Sequence, residues 1–303
     1  MNKIHFLNTI WADSILIESQ GHFGLIDAAS DFYYPMIKGY LEKLNIKELD
    51  FLILTHFHND HYGCILNLLD DYKFKDTYLR PYSGHDGTNG NGTKANDDYR
   101  KQEMETYLKI ENKCKKLSNF HEIDDSIEYI DFYDFHFDIL SRQENTKRIF
   151  NDETRDLYHI NKLSENYESI ALFTMINNVA VYLAADITDC ENPNYLDIDH
   201  LNKKAVEWIY NKYHIDKIDI YKVSHHAVHD SNSKETMALI RPDIAIITNT
   251  DRWLRNFPTV SYLVDSNKDI IILRTDWQKQ IFTFNDDGTY SYESKTDKTL
   301  FYE

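Results

Sequence analysis

Residues Leu54–Gly63, LTHFHNDHYG, place three imidazoles and a carboxylate within six positions, at His56, His58, Asp60 and His61. Imidazole nitrogen and carboxylate oxygen together suit Zn2+, with Mn2+ or Fe as alternatives. On an extended strand, residues i and i+2 share a face, so His56 and His58 can reach one ion. Asp60 and His61 follow where the chain must turn into the next helix, and can point at a second ion beside the first. The HExxH helical zinc motif is a different device, because no Glu stands here and the spacing does not fit one helical face. Three of the chain's 14 histidines gather directly after the apolar run Phe51–Leu54. That placement argues against a chance cluster in a solvated loop.

Further ligands must come from elsewhere in the chain. Asp186, in VYLAADITD, is the best carboxylate, because the apolar strand Val179–Ala184 delivers it to a strand end. A turn or helix N-cap aspartate is the plain alternative. In YKVSHHAVHDSNS, the strand Ile218–Val223 runs into His225 and His226, with Ser224, His229 and Ser231 close by. Neighbours on an extended chain point opposite ways. One of the pair is therefore expected to bind metal and the other to face the substrate or back a ligand; the residues do not say which.

The elements that must position these groups are legible from periodicity. Ser14–Ser19 and His22–Ala29 read as a hairpin, YYPMIKGYLEKLNI as a helix, and Phe51–Leu54 as a strand buried on both faces. CILNLLDDY is helical, DTYLRPY is a strand that stops at Pro81, and Asp97–Lys116 is a charged helix. SIEYI and HFDIL are strands, and the β-rich runs around Asn177-Asn178 form a hairpin. LNKKAVEWIYNKYH and SKETMALI are helices, and DIAIITNT, DIIILRT and QIFTFND are strands. Helices alternate with strands, but interspersed antiparallel hairpins exclude a purely doubly wound sheet. Two mixed sheets with helices outside, in one domain over residues 1–303, fit the pattern. Residues 83–116, which open on a Gly/Asn-rich loop, and 141–166 read as pocket-shaping insertions.

Composition narrows the function. With 33 basic and 50 acidic side chains the formal charge is −17, which opposes tight binding to long nucleic acids or anionic membranes. A bound metal pair reverses that sign locally, so a small anionic substrate remains compatible. The three cysteines, Cys64, Cys114 and Cys190, have no CxxC spacing. A reducing compartment is the natural reading, and with no signal peptide in MNKIHFLNTIWADSILIESQ the cytoplasm is expected. No stretch approaches the apolar length of a membrane span.

The order HxHxDH-x-G, then a strand-end Asp, then a late strand-end His resembles the metallo-β-lactamase fold superfamily over nearly the whole chain. YLAADI followed by KVSHHAVHDSNSKETMALIRPDIAIIT is similar to the hydrolase-like domain of competence proteins that handle DNA uptake. It is also similar to the bacterial phosphorylcholine esterases. The resemblance implies an α/β fold, an αββα sandwich of two mixed sheets, with a dinuclear zinc-type site at one edge. It implies that His56, His58 and Asp186 hold one ion, and that Asp60, His61, Asp186 and His226 hold the other, with Asp186 bridging. The preference for His226 over His225 comes from that resemblance. One departure stands out: many superfamily members carry a further His at the end of a middle strand, and none follows FHFDILSRQEN. His136 lies inside that strand and His85 in the Gly/Asn loop, and both read as structural or solvated. The two resembled subgroups lack that His as well.

Two divalent ions side by side lower the pKa of water from about 15.7 towards about 7, which makes a nucleophile near neutral pH. Asp60 and Asp186 belong to the expected catalytic set. Asp186 would position the nucleophile and accept its proton, and His225 or His229 would stabilise an oxyanion or protonate the leaving group. Plain surface roles compete for His229, Ser224 and Ser231. The expectation is a metallo-hydrolase of a small phosphodiester. Alternatives are a competence-type nuclease, for which Lys203, Lys204, Arg252, Arg255 and Lys279 are the basic candidates, a lactonase or β-lactamase, and a non-catalytic metal protein. Tyr82, Tyr158, Trp253 and Trp277 are candidates for a pocket wall or a cage around a quaternary ammonium group.

Overall fold

The computed structural model describes residues 1–82, 97–124, 126–140, 165–189, 200–228 and 231–296. Strands β1 (Asn2–Phe6), β2 (Ile15–Ser19), β3 (His22–Ile26), β4 (Glu48–Leu54), β5 (Lys73–Leu79) and β6 (Asn119–Glu122) join the late strands β14 (Lys279–Phe284) and β15 (Tyr290–Lys295). They form an eight-stranded sheet in the order β15-β14-β1-β2-β3-β4-β5-β6. Strands β7 (Tyr129–Phe132), β8 (Phe135–Leu140), β9 (Ala171–Ile176), β10 (Val179–Leu183), β11 (Ile220–Lys222), β12 (Ile244–Ile247) and β13 (Ile271–Arg274) form a seven-stranded sheet, β13-β12-β11-β10-β9-β8-β7. Both sheets are mixed: β3 to β6 and β10 to β13 run parallel, and the hairpins are antiparallel.

Four layers follow from where the apolar residues go. Phe51 and Ile53 of β4 point into the space between the sheets, against Phe137, Leu172, Val181 and Ile220 of the other sheet. Leu52 and Leu54 point the other way and pack under helices α1 (Tyr34–Lys43), α3 (Ile65–Asp71) and α4 (Asp97–Leu117). That two-sided burial is why β4 reads as an unbroken apolar run. The second sheet is covered on its outer face by α5 (Leu201–Tyr213), α6 (Lys234–Ile240) and α8 (Thr259–Ser266), through Val206, Ile209, Met237, Ile240 and Leu263. The architecture is the expected αββα sandwich. Gly24 sits beside Phe51 in the β3–β4 register, and a Cβ there would lie 2.1 Å from the Phe51 ring. Asn177 and Asn178 take the left-handed backbone (φ 49° and 68°) that the tight β9–β10 turn needs.

Some elements depart from the sequence reading. The strand read over Ile218–Val223 is laddered only at Ile220–Lys222, β6 and β15 were not foreseen, and neither were α7 (Asp251–Leu254) and α8. Within 83–116, the helix from Asp97 buries Tyr107, Ile110 and Cys114 in the outer core. Residues 83–96 and 141–164, with His85 and Tyr158, lie outside the described residues, as do His229 and Cys190. Cys64 and Cys114 are buried free thiols. No helix among the described residues is long and apolar enough to cross a membrane.

Candidate metal centre

The carboxyl ends of the parallel strands carry the chemistry, at the edge where open α/β sheets bind ligands. Past β3 comes Asp27, and past β4 come His56, His58 and the short helix α2 (Asn59–Tyr62), which contributes Asp60 and His61. Past β10 comes Asp186, past β11 the turn Ser224–Ala227, and past β12 Thr248. The backbone is bent sharply at these tips. Asp27 (φ 55°), Ala185 (φ 44°), His225 (φ 47°) and His226 (φ 51°) all adopt the left-handed region, which is costly outside glycine. His225 and His226 are therefore not neighbours on an extended chain, and the alternation expected for them does not apply. Gly63 closes the motif, where a Cβ would come within 2.4 Å of the Asp31 backbone nitrogen.

One oxygen sits at the centre. Asp186 Oδ2 lies 3.3 Å from His61 Nε2, 3.5 Å from His226 Nε2, and 3.9 Å from both His56 Nε2 and His225 Nε2. Asp60 Oδ2 is 3.2 Å from His226 Nε2, and His58 Nδ1 is 3.1 Å from His56 Nε2. Ligand atoms from Asp60, His61, Asp186 and His226 all lie within 4.8 Å of one another. Ligands at about 2.0–2.1 Å from a tetrahedral Zn2+ are separated by roughly 3.3 Å, close to the 3.2, 3.3 and 3.5 Å of the Asp60–His226, His61–Asp186 and His226–Asp186 pairs. His61 Nε2 is also buried without a hydrogen-bond partner among the described residues. Buried polar atoms normally find partners, and a cation would supply one here. The residues present fit a divalent metal.

A ring of polar contacts orients the donors. Asp27 accepts from His61 Nδ1 at 2.7 Å, from Thr55 Oγ1 at 2.8 Å and from the Thr55 backbone nitrogen at 2.9 Å. That leaves His61 Nε2 aimed at Asp186. Thr248 Oγ1 lies 2.7 Å from His226 Nδ1 and does the same for that ring. Behind them Lys222, fully buried, pairs with Asp13 and donates to the Ala185 carbonyl at 3.0 Å. His225 is held differently: its Nε2 is 3.1 Å from Asn166 Nδ2 and its Nδ1 is 3.1 Å from Ser231 Oγ, with 22% of its side chain exposed. Asn166 lies on the turn Glu165–Glu168, which Arg80 clamps by donating to the Glu168 carbonyl and carboxylate at 3.1 and 2.9 Å.

Charge is strongly coupled in this pocket. Burial, helped by the neighbouring His61 and His58 rings, holds His56 well below the usual histidine range, so its lone pair is available. Burial also opposes charge on His61, but Asp186 and Asp27 outweigh it and hold that ring well above the usual range. Burial alone would raise the Asp186 carboxyl; His226, His61 and His225 outweigh it and keep Asp186 ionised well below the ordinary range. Asp60 is lowered in the same way, against its burial, by its hydrogen bond to His226 and the charge of His61.

The structure thus brings His56, His58, Asp60, His61, Asp186, His225 and His226 together. Ser224 is buried, with its hydroxyl on the Ile187 carbonyl, and Ser231 backs His225. Tyr82 packs in the core against Phe57, and His136 pairs with Asp131 at the surface. Trp253 and Trp277 are 45% and 68% exposed, and Trp253 stacks edge-on against Trp11, which itself abuts His226. Lys203 pairs with Glu235, and Lys279 is buried over the Tyr40 ring, so these two do not line an open basic groove. Asp13, Asp27 and Lys222 were missed. The signal was present: Asp27 follows the apolar run of β3 as His56 follows β4, and Lys222 is a charge inside an apolar strand.

Residues 12–128 match the family model of the metallo-beta-lactamase superfamily. The metallo-beta-lactamase fold protein YhfI from Bacillus subtilis superposes with a TM-score of 0.53 at 8% identity, covering 97% of this chain and 100% of that one. Igni18, a metallo hydrolase from Ignicoccus hospitalis KIN4/I, gives 0.47 at 12% identity, covering 93% and 100%. A diphosphatase from the PhnP family gives 0.43 at 12% identity, covering 87% and 81%. No curated protein sequence matches the chain significantly.

Proposed function

We propose that this chain, which has the metallo-β-lactamase fold and matches that superfamily over residues 12–128, is a hydrolase that uses two divalent metal ions on a small phosphodiester. The observation that carries this reading is the convergence of imidazoles and carboxylates around Asp186 Oδ2 at ligand-to-ligand spacing, with the buried His61 Nε2 left without a hydrogen-bond partner among the described residues. In this assignment His56, His58 and Asp186 would hold one ion, and Asp60, His61, Asp186 and His226 would hold the other. Two such ions would supply a nucleophile near neutral pH and stabilise charge on the leaving oxygen. Asp186, kept ionised by its imidazole neighbours, would hold the ions in place and orient the attacking water. His225, on the solvent side and fixed by Asn166 and Ser231, protonates the leaving group. His229 is the alternative acid.

The phosphodiester preference rests on the similarity of YLAADI and KVSHH to two phosphodiester-directed groups, and on a metal pair that offsets the chain's negative charge locally. A charge of −17 weighs against long DNA. Turnover of bis-(p-nitrophenyl) phosphate that a chelator abolishes and Zn2+ or Mn2+ restores is the expected result. Nitrocefin, a lactone, p-nitrophenyl phosphorylcholine and single-stranded DNA run in parallel separate the enzyme classes. Metal-dependent turnover of nitrocefin or the lactone alone would overturn the phosphodiester assignment.

A further inference from the structure

A carboxylate can give both oxygens to one ion or one oxygen to two, and something must decide which. Around Asp186 the two oxygens have different surroundings. All four nearby imidazoles face Oδ2, at 3.3 to 3.9 Å. Oδ2 is thus the nearer oxygen to each of these rings, whereas Oδ1 is the oxygen nearer Lys222 Nζ, at 3.7 Å. The same ammonium donates to the Ala185 carbonyl at 3.0 Å, so it also holds the peptide that precedes Asp186. The Asp186 backbone nitrogen donates to Ser169 Oγ at 3.2 Å, which pins the residue from the other side. On its far side Lys222 pairs with Asp13, whose Oδ1 stands 3.6 Å behind His226 Nδ1. One buried ammonium is thus in contact with the bridging carboxylate and with the group that backs another ligand. An ammonium taken wholly out of water is expensive unless its partners are charged and well placed. Both carboxylates beside it meet that condition.

We propose that Lys222 is a positioning residue that makes Asp186 a one-oxygen bridge: it holds Oδ1, so that Oδ2 alone is offered to two ions. The proposal rests on the two-ion reading above, but not on the substrate or on turnover. Lys222 touches no substrate; it acts through Asp186 and, by way of Asp13, through His226.

The direct test is a crystal structure of the manganese-loaded wild-type protein. Asp186 Oδ2 on both ions with Oδ1 against Lys222 is expected, and Oδ1 coordinated to either ion overturns the proposal. Variants give an independent readout in solution. Lys222→Met strands the Asp13 carboxylate and can fail to fold for that reason alone, so Lys222→Met/Asp13→Asn is its charge-balanced companion. Manganese-loaded wild type is expected to show the electron paramagnetic resonance of an exchange-coupled pair. The folded variant should lose the coupling and bind its second ion at least tenfold more weakly. A folded double variant that keeps two coupled ions at wild-type affinity refutes the role of Lys222 and leaves the hydrolase reading intact. A wild type with coupled ions and no turnover refutes the hydrolase reading and leaves this one intact. A wild type that binds no manganese removes both.

Discussion

Asp27→Asn isolates the oriented imidazole at the heart of the site. Three donors converge on this carboxylate: the Thr55 backbone nitrogen on Oδ1, and the Thr55 hydroxyl and His61 Nδ1 on Oδ2. An amide cannot serve them all. With its NH2 at the Oδ2 position it faces His61 Nδ1–H, and the ring escapes only by moving its proton to Nε2, the atom needed for metal. With its NH2 at the Oδ1 position it faces a buried backbone N–H, and the unsatisfied donor costs about 1–3 kcal/mol. Losing a carboxylate behind a ligating histidine weakens metal binding about 10–100-fold, or roughly 1.4–2.8 kcal/mol. Burial already pushes the Asp27 carboxyl above its ordinary range, so the neutral amide recovers part of what folding loses. Metal affinity is therefore the sharper readout. Competition against a chromophoric chelator should show the 10–100-fold loss, with urea unfolding of the metal-free protein changed by no more than about 3 kcal/mol. A dissociation constant equal to wild type would refute the reasoning, because it would mean that His61 needs no orienting partner.

Three further outcomes are expected. His225→Ala should keep both metal ions while kcat falls about 10²–10⁴-fold, the usual range for a lost general acid, measured by metal analysis beside turnover; loss of metal would instead make His225 a ligand. Arg80→Met removes one partner of a nearly fully buried ion pair with Glu168 (2.9 Å) and should cost about 3–5 kcal/mol in urea unfolding. A loss under about 1 kcal/mol would show that the clamp under Asn166 is slack. Lys279 is lowered from 10.5 to about 8 by burial and by Lys43 and Lys295. Between those values the unfolded chain holds a proton that the folded chain does not. Wild-type stability relative to Lys279→Met should therefore climb as pH rises from about 8 to about 10.5, and a flat difference would contradict the shift.

The fold was legible where two-sided burial writes an unbroken apolar run, as in Phe51–Leu54 and Val179–Ala184, or where turn chemistry is unambiguous, as at Asn177-Asn178. Short and edge elements escaped. Strand β15 is mostly exposed and polar, and β11 ladders only three residues, so neither has a distinctive period. The metal-ligand candidates were legible because each closes such a run. Which of His225 and His226 points inward was not legible, because both adopt a left-handed backbone that the residue types do not announce. Asp27 and Lys222 carry a positional signal in the sequence, but their partners, like those of Asp13, are not written there. An aspartate at a strand end or a lysine in a strand gains its meaning only from the partner that folding brings, such as His61 34 residues away from Asp27.

Metal content of the purified, metal-loaded protein, measured beside three variants, tests the central claim most directly. Two equivalents of Zn2+ or Mn2+ per wild-type chain are expected, with loss of bound metal in both His58→Ala and Asp186→Ala and full content in His229→Ala. A wild type that stays empty after dialysis against either ion, or an Asp186→Ala protein that still carries two, would contradict it.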